Sequence, residues 1–228
     1  LFAKDLQDNS EFNVKVGIQK FCKNKKGRNI GKEIDWDTFF KWSKELEIQK
    51  VDYLAVAYTN EGIELRESGI KIPILVLHPQ LNDFDDILKY ELEPSIYSFR
   101  VLNAFMDALE GCCRKSHSFQ IKFNTGLNRL GFAKTDINNI IILLKGLKPA
   151  FIFSHLGASE DSKEYSFTLD QLAAFNEICF DFEKGIADRS AEPEKIRHFF
   201  DAFVRGREDL FPVLENCLQE LGVLIRRE

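Results

Sequence analysis

Two stretches concentrate side chains that could do chemistry, one carrying Lys122 and Arg129 and the other His155. The stretch Ile121 to Phe132 (IKFNTGLNRLGF) leaves an apolar run, turns at Gly126, and presents Lys122, Asn124, Thr125, Asn128 and Arg129. A guanidinium in such a turn can neutralise a phenolate, carboxylate or phosphate through two directed hydrogen bonds, which a lysine does less specifically. A buried lysine beside it is costly unless deprotonated, paired or covalently modified. The stretch Phe151 to Asp161 (FIFSHLGASED) places His155 at the end of an apolar run, just before a small, polar loop. An imidazole there can stack on a flat heteroaromatic ring or carry a proton near neutral pH. On residue types alone the plainer accounts are a solvent-open basic turn and a histidine hydrogen-bonded at a rim.

The elements that must position these groups alternate. Val51 to Ala57, Ile72 to Leu77, Ser95 to Phe99, Phe119 to Phe123 and Ala150 to Ser154 have strand length and many β-branched or aromatic residues. Between them Glu61 to Ser68, Asp83 to Glu91, Val101 to Arg114, Asp136 to Lys145 and Thr168 to Phe182 favour helix. Thr168 with Gln171 three residues on reads as a capping box for the last of these. Such alternation builds a parallel sheet covered by helices, either a (β/α)8 TIM-type barrel or a doubly wound open sheet. Both ends are less regular. Phe12 to Ile18 reads as a first strand and Trp36 to Leu46 as an amphipathic helix; Ile196 to Phe200 and Leu221 to Ile225 read as late strands, although Ile196 to Phe203 suits a helix equally. In a parallel barrel, reactive groups collect where strands end and loops begin.

Composition narrows the class. The chain has 228 residues, a net charge of −5 with both signs interspersed, and no apolar stretch long enough to cross a bilayer. A soluble, cytoplasmic, single-domain protein without nucleic-acid or membrane partners is expected. Lys20, Lys23, Lys25, Lys26 and Arg28 form a local basic loop. The five cysteines are an odd count with Cys112 and Cys113 adjacent, and the histidines are scattered at His78, His117, His155 and His198. That pattern supports neither a disulfide framework nor a metal site.

Four stretches resemble the alanine racemase family, in its order and spacing: Val51 to Pro79 (VDYLAVAYTNEGIELRESGIKIPILVLHP), Leu92 to Phe99 (LEPSIYSF), Ile121 to Phe132, and Ile152 to Ile178. Together they cover residues 51 to 180, and LEPSIYSF looks closest to the branch fused to a cell-wall ligase. The resemblance implies a barrel holding pyridoxal 5'-phosphate at the carboxyl ends of its strands, and an isomerase interconverting L-alanine and D-alanine, a small amino-acid substrate. By position, Lys122 looks like the lysine that many members carbamylate. Arg129 looks like the arginine this group orients toward the cofactor's phenolic oxygen and the substrate carboxylate. His155 looks like the histidine stacked on the pyridine face. Family enzymes are dimers, so a homodimer is implied too.

The flanks depart from the family pattern. The Schiff-base lysine of a VVKANAYG-like motif has no clear counterpart, leaving Lys15, which has a strand context, and Lys32, which has the spacing. Ile196 to Ala202 is faintly similar to RHILNSA, but with Asp201 and Ala202 in place of the asparagine and the phosphate-binding serine. Glu220 to Val223 is faintly similar to RLGI with a glutamate in place of arginine, although Glu215 to Leu221 also suits a surface helix. With the chain ending at Glu228, no room is expected for the family's β-rich second domain and its catalytic tyrosine. Impaired racemisation, a pyridoxal-phosphate holder that does not racemise, and a barrel without cofactor are the outcomes these departures allow.

Overall fold

The computed structural model describes residues 15–17, 36–48, 52–158, 162–189 and 196–202. Lys32, the basic loop at residues 20–28, Leu221 to Ile225 and the Glu215 to Leu221 helix all lie outside them. The chain divides into two compact units, residues 1–94 and 95–228.

In the first unit the elements are β1 (Lys15–Gly17), α1 (Trp36–Ile48), β2 (Tyr53–Val56), α2 (Thr59–Glu67), β3 (Ile74–Val76), α3 (Phe84–Lys89) and the opening of β4 (Glu93–Ile96). All pairings are parallel and follow chain order: Lys15 lies level with Tyr53, Leu54 with Ile74, and Leu75 with Glu93. Leu54, Val56, Ile74 and Val76 are fully buried, and Leu65, Ile87 and Leu92 join them. Gly62 lets α2 settle on Leu92, because a Cβ there would stand 3.0 Å from the leucine Cδ1. The start of α2 is secured by Glu61, whose carboxylate accepts from the amides of Ala57 (2.8 Å) and Tyr58 (3.1 Å), satisfying donors that the first turn leaves orphaned.

Side-chain ties then join each strand–helix repeat of this unit to the next. Glu47 accepts from Lys71 N, Thr59 donates to Asp83, and Tyr90 donates to Glu67, at 2.6, 2.6 and 3.0 Å. The Arg66 guanidinium donates to the carbonyls of Ile70, Ile72, Tyr90 and Glu91 at 2.7–3.0 Å. Burial pulls its pKa below the usual value, and Glu47, Glu91 and Glu93 partly restore it.

The second unit begins within β4 and continues through α4 (Phe99–Gly111), β5 (Gln120–Lys122), α5 (Ile137–Leu143), β6 (Phe151–Leu156), α6 (Tyr165–Ala187) and β7 (Arg197–Ala202). Pairing is again parallel and in chain order. A doubly wound sheet would reverse its strand order at a switch point, and among the described residues neither unit does so. The core is rich in phenylalanine: Phe105 packs on Phe119 with centroids 5.1 Å apart, and Phe123 meets Phe182 edge-on at 5.8 Å.

Two expectations need correction. Ser95 to Phe99 is not a strand throughout. β4 runs from Glu93 to Ile96, and Ser98, whose side chain accepts from Val101 N, caps α4 and turns the chain into helix at Phe99. Nor does Thr168 begin a helix: α6 starts at Tyr165, leaving Thr168 buried inside it. Of the stretch read as either strand or helix, Arg197–Ala202 form strand β7, paired to β6 along all six residues, and Phe203 lies outside the described residues.

Candidate functional site

Register defines one face of the second unit's sheet. Ser95 is level with Gln120, Gln120 with Phe151, and Lys122 with Phe153. Side chains at matched positions share a face and alternate along each strand. His155, two residues beyond Phe153, therefore stands on the same face as Lys122. Phe119, Ile121 and Phe123 take the opposite face, where Phe119 and Phe123 meet α4 and α6. Lys122 is 5% exposed, with its Nζ 5.3 Å from the centre of the Phe153 ring, a cation–π approach that offsets part of the cost of burial. His155 is half-buried at the carboxyl end of β6. Lower on this face the Ser95 hydroxyl is buried without a hydrogen-bond partner among the described residues.

Arg129 lies on the turn after β5, and its side chain is exposed. That turn is closed at its base by two backbone bonds of 2.9 Å, Asn124 N to Phe132 O and Phe132 N to Lys122 O. Inside it, Asn124 Oδ1 accepts from Gly126 N (3.1 Å) and Asn128 N (2.9 Å), and its Nδ2 donates to Asn128 Oδ1 (2.8 Å). Gly131 has φ +130°, and a Cβ there would stand 2.6 Å from the backbone of Phe123 and Asn124. The closed base thus requires glycine.

Sequence reasoning missed two residues that bind these pieces together, Ser154 and Gln171. The Gln171 amide, fully buried on α6, accepts from Gly157 N (2.8 Å) and donates to His155 O (3.0 Å) and Thr125 Oγ1 (3.2 Å). Thr125 Oγ1 lies 2.8 Å from Ser154 Oγ, which donates to Phe123 O (2.9 Å). The capping box expected of Gln171 does not form, since its amide is committed to these partners. The available signal was a polar residue inside an apolar pattern, Ser154 within FIFSHL and Gln171 within LDQLAAF.

Of the lysines considered for a covalent role, Lys15 is the first residue of β1, level with the amino end of β2. Asp201 is level with His155 and Ala202 with Leu156. No group of three or more histidine, cysteine, aspartate or glutamate residues suited to a metal ion occurs among the described residues.

A family model described as alanine racemase, N-terminal domain, matches residues 39–192, reaching beyond the resemblance at both ends. The chain belongs to this family. Among curated relatives, an alanine racemase of Carboxydothermus hydrogenoformans is 31% identical over 137 residues, 59% of this chain and 37% of the relative. An amino-acid racemase of Enterococcus faecalis is 36% identical over 133 residues, 56% of this chain and 18% of that protein. The chain spans well under half the length of these relatives. Among solved structures, an alanine racemase of Clostridium difficile 630 superposes with a TM-score of 0.62 at 27% identity, covering 72% of this chain and 42% of that one. An alanine racemase of Bartonella henselae with covalently bound pyridoxal phosphate gives 0.59 at 19% identity, over 71% and 44%, a likeness of fold alone. The strands and helices are thus those of the alanine racemase barrel fold. Among the described residues no helix is long and apolar enough to cross a membrane.

Proposed function

We propose that this chain is the cofactor-holding (β/α)8-type barrel of a pyridoxal-phosphate-dependent amino-acid racemase that interconverts L-alanine and D-alanine. The observation that carries this reading is the shared face that sets Lys122, Phe153 and His155 together toward the carboxyl ends of β5 and β6, beside the turn bearing Arg129. The donor set suits a flat, anionic heteroaromatic group: a buried lysine near an aromatic ring, an imidazole near the strand end and an exposed guanidinium on the neighbouring turn. His155 would stack on the ring, Lys122 would orient Arg129, and Arg129 would meet the phenolic oxygen and receive a substrate carboxylate through paired hydrogen bonds. When bound, the cofactor supplies an electron sink for the charge left by removal of an α-proton. The same reading makes the chain a cytoplasmic barrel that works as a homodimer.

A second reading, a barrel that holds the cofactor without racemising, is favoured by one observation. Lys15 stands level with Tyr53, at the opposite end of the strands from the expected mouth.

Adding pyridoxal phosphate to the purified chain and recording its visible spectrum tests both. A band abolished by replacing one lysine, and a borohydride-trapped adduct on that lysine, are expected. Neither appearing refutes both readings. Conversion of L-alanine to D-alanine separates the first from the second. Arg129→Ala should weaken cofactor affinity; unchanged affinity and spectrum would remove Arg129 from the site.

A further inference from the structure

We propose that Gln171, which touches no reacting group, is the positioning residue that sets the His155 strand end and the Arg129 turn relative to each other. The function of that arrangement rests on the pyridoxal-phosphate reading above.

The orientation of its amide is fixed by chemistry. Oε1 meets Gly157 N–H, which can only donate, and Nε2 meets the His155 carbonyl, which can only accept. A flipped amide would oppose like groups at both contacts. The second Nε2 hydrogen goes to Thr125 Oγ1. Because Ser154 Oγ gives its proton to Phe123 O, Thr125 must be the donor in its bond to Ser154. Every proton is thereby assigned in one direction, from Gln171 to Thr125 to Ser154 to the carbonyl of Phe123. A buried run of this kind is rigid when complete and costly when any member is missing.

The partners lie far apart in sequence and close to the candidate site. Thr125 opens the turn that Asn124 orders and that ends in Arg129, while His155 and Gly157 bracket the end of β6. One side chain on α6 therefore locks both loops. Among the described residues, the groups that contact the Gln171 side chain are uncharged: the Gly157 amide, the His155 carbonyl, the Thr125 hydroxyl, and Gly126 at the Gln171 Cγ.

The test compares the full chain with Gln171→Leu and Gln171→Glu, reading the His155 imidazole resonances by NMR without cofactor and the pyridoxal-phosphate dissociation constant by titration. Leucine keeps the bulk and removes every bond. It should displace the His155 resonances and weaken affinity about tenfold, equivalent to about 1.4 kcal/mol. The glutamate variant supplies a signature that general destabilisation lacks. As a carboxylate it cannot donate to Thr125 or His155, and burial among uncharged groups raises its pKa. Protonated, it regains a donor while still accepting from Gly157. Its affinity relative to the unmodified chain at the same pH should fall from about tenfold weaker near pH 8 to about twofold weaker near pH 5.5. If Gln171→Leu does not fold, the glutamate pair of pH values decides alone. Unmoved His155 resonances in both variants, or a glutamate defect equal at the two pH values, overturns the proposal. Should the unmodified chain fail to bind pyridoxal phosphate, the functional reading falls, and the His155 resonances still decide the role of Gln171.

Discussion

Replacing Gly131 by alanine asks for space that the turn after β5 does not have. The new Cβ would stand 2.6 Å from Asn124 N and from the Phe123 carbonyl carbon, and 2.9 Å from the Phe123 oxygen. Comfortable contact needs about 3.5 Å, so backbone has to move by close to an ångström. That backbone carries the bonds from Asn124 N to Phe132 O and from Phe132 N to Lys122 O, which cannot both survive the shift. A φ of +130° adds strain of about 1–3 kcal/mol, and overpacking against rigid neighbours about as much again. The total is about 4 kcal/mol, or a fall in Tm of about 10 °C for a chain of this size. Two controls isolate the steric part. Gly146 has φ +92° and nothing within 4 Å, so alanine there should cost strain alone. Gly126 has φ +126°, and a Cβ there would press closely on the Phe167 ring, at 3.2 Å, which can turn aside, and would stand at ordinary contact, 3.7 Å, from Gln171 Cγ. Unfolding in urea followed by circular dichroism should rank the losses Gly131 first, Gly126 next and Gly146 last. Equal losses at Gly131 and Gly146 would show that the turn's base yields freely, and the account of how Arg129 is presented would fail with it.

Arg66→Ala should destabilise the chain by about 2 kcal/mol in the same assay, since the carbonyls it leaves are partly within reach of water. Arg66→Lys should recover only part of this, because an ammonium cannot span carbonyls on two separate turns. Cys112 and Cys113 are exposed and should react promptly with an aromatic disulfide reagent, whereas Cys179 should react only on unfolding. Burial, aided by Glu183, pushes the Cys179 thiol up from 9.0 to about 12. The folded state thus holds this proton more tightly than the unfolded one. Its contribution is complete below about pH 9 and is lost as pH rises toward 12, so Cys179→Ala should flatten the alkaline fall in stability. Burial raises Tyr97 as well, with the same sign, so some of that fall should persist.

The alternation of elements was legible because the apolar runs are short, rich in β-branched and aromatic residues, and separated by helical spacing. What escaped was decided by side chains acting away from their own element. Ser98 reads as strand in an apolar context, but its hydroxyl serves the first turn of α4, which shortens β4. Thr168 and Gln171 match a capping pattern, yet Gln171 is bound to groups 14 to 46 residues away, which no local pattern records. For the candidate site, adjacency of Lys122 and His155 follows from register, which apolar patterning alone leaves open. The roles proposed for them rest on the resemblance, since a lysine on a strand and a histidine at its neighbour's end are individually unremarkable.

The ties that link successive repeats of the first unit share a length. Glu47 reaches Lys71, Thr59 reaches Asp83, Arg66 reaches Tyr90 and Glu91, and Tyr90 reaches Glu67, each 23 to 25 residues away. That distance is one strand–helix repeat. Each repeat can therefore be fastened as soon as the next has left the ribosome, without waiting for the far end of the chain. Closing loops of this length is entropically modest, which favours rapid, stepwise growth over a single late collapse. Damage in one repeat should be felt first by its successor, as in a stacked array where energy passes between neighbours.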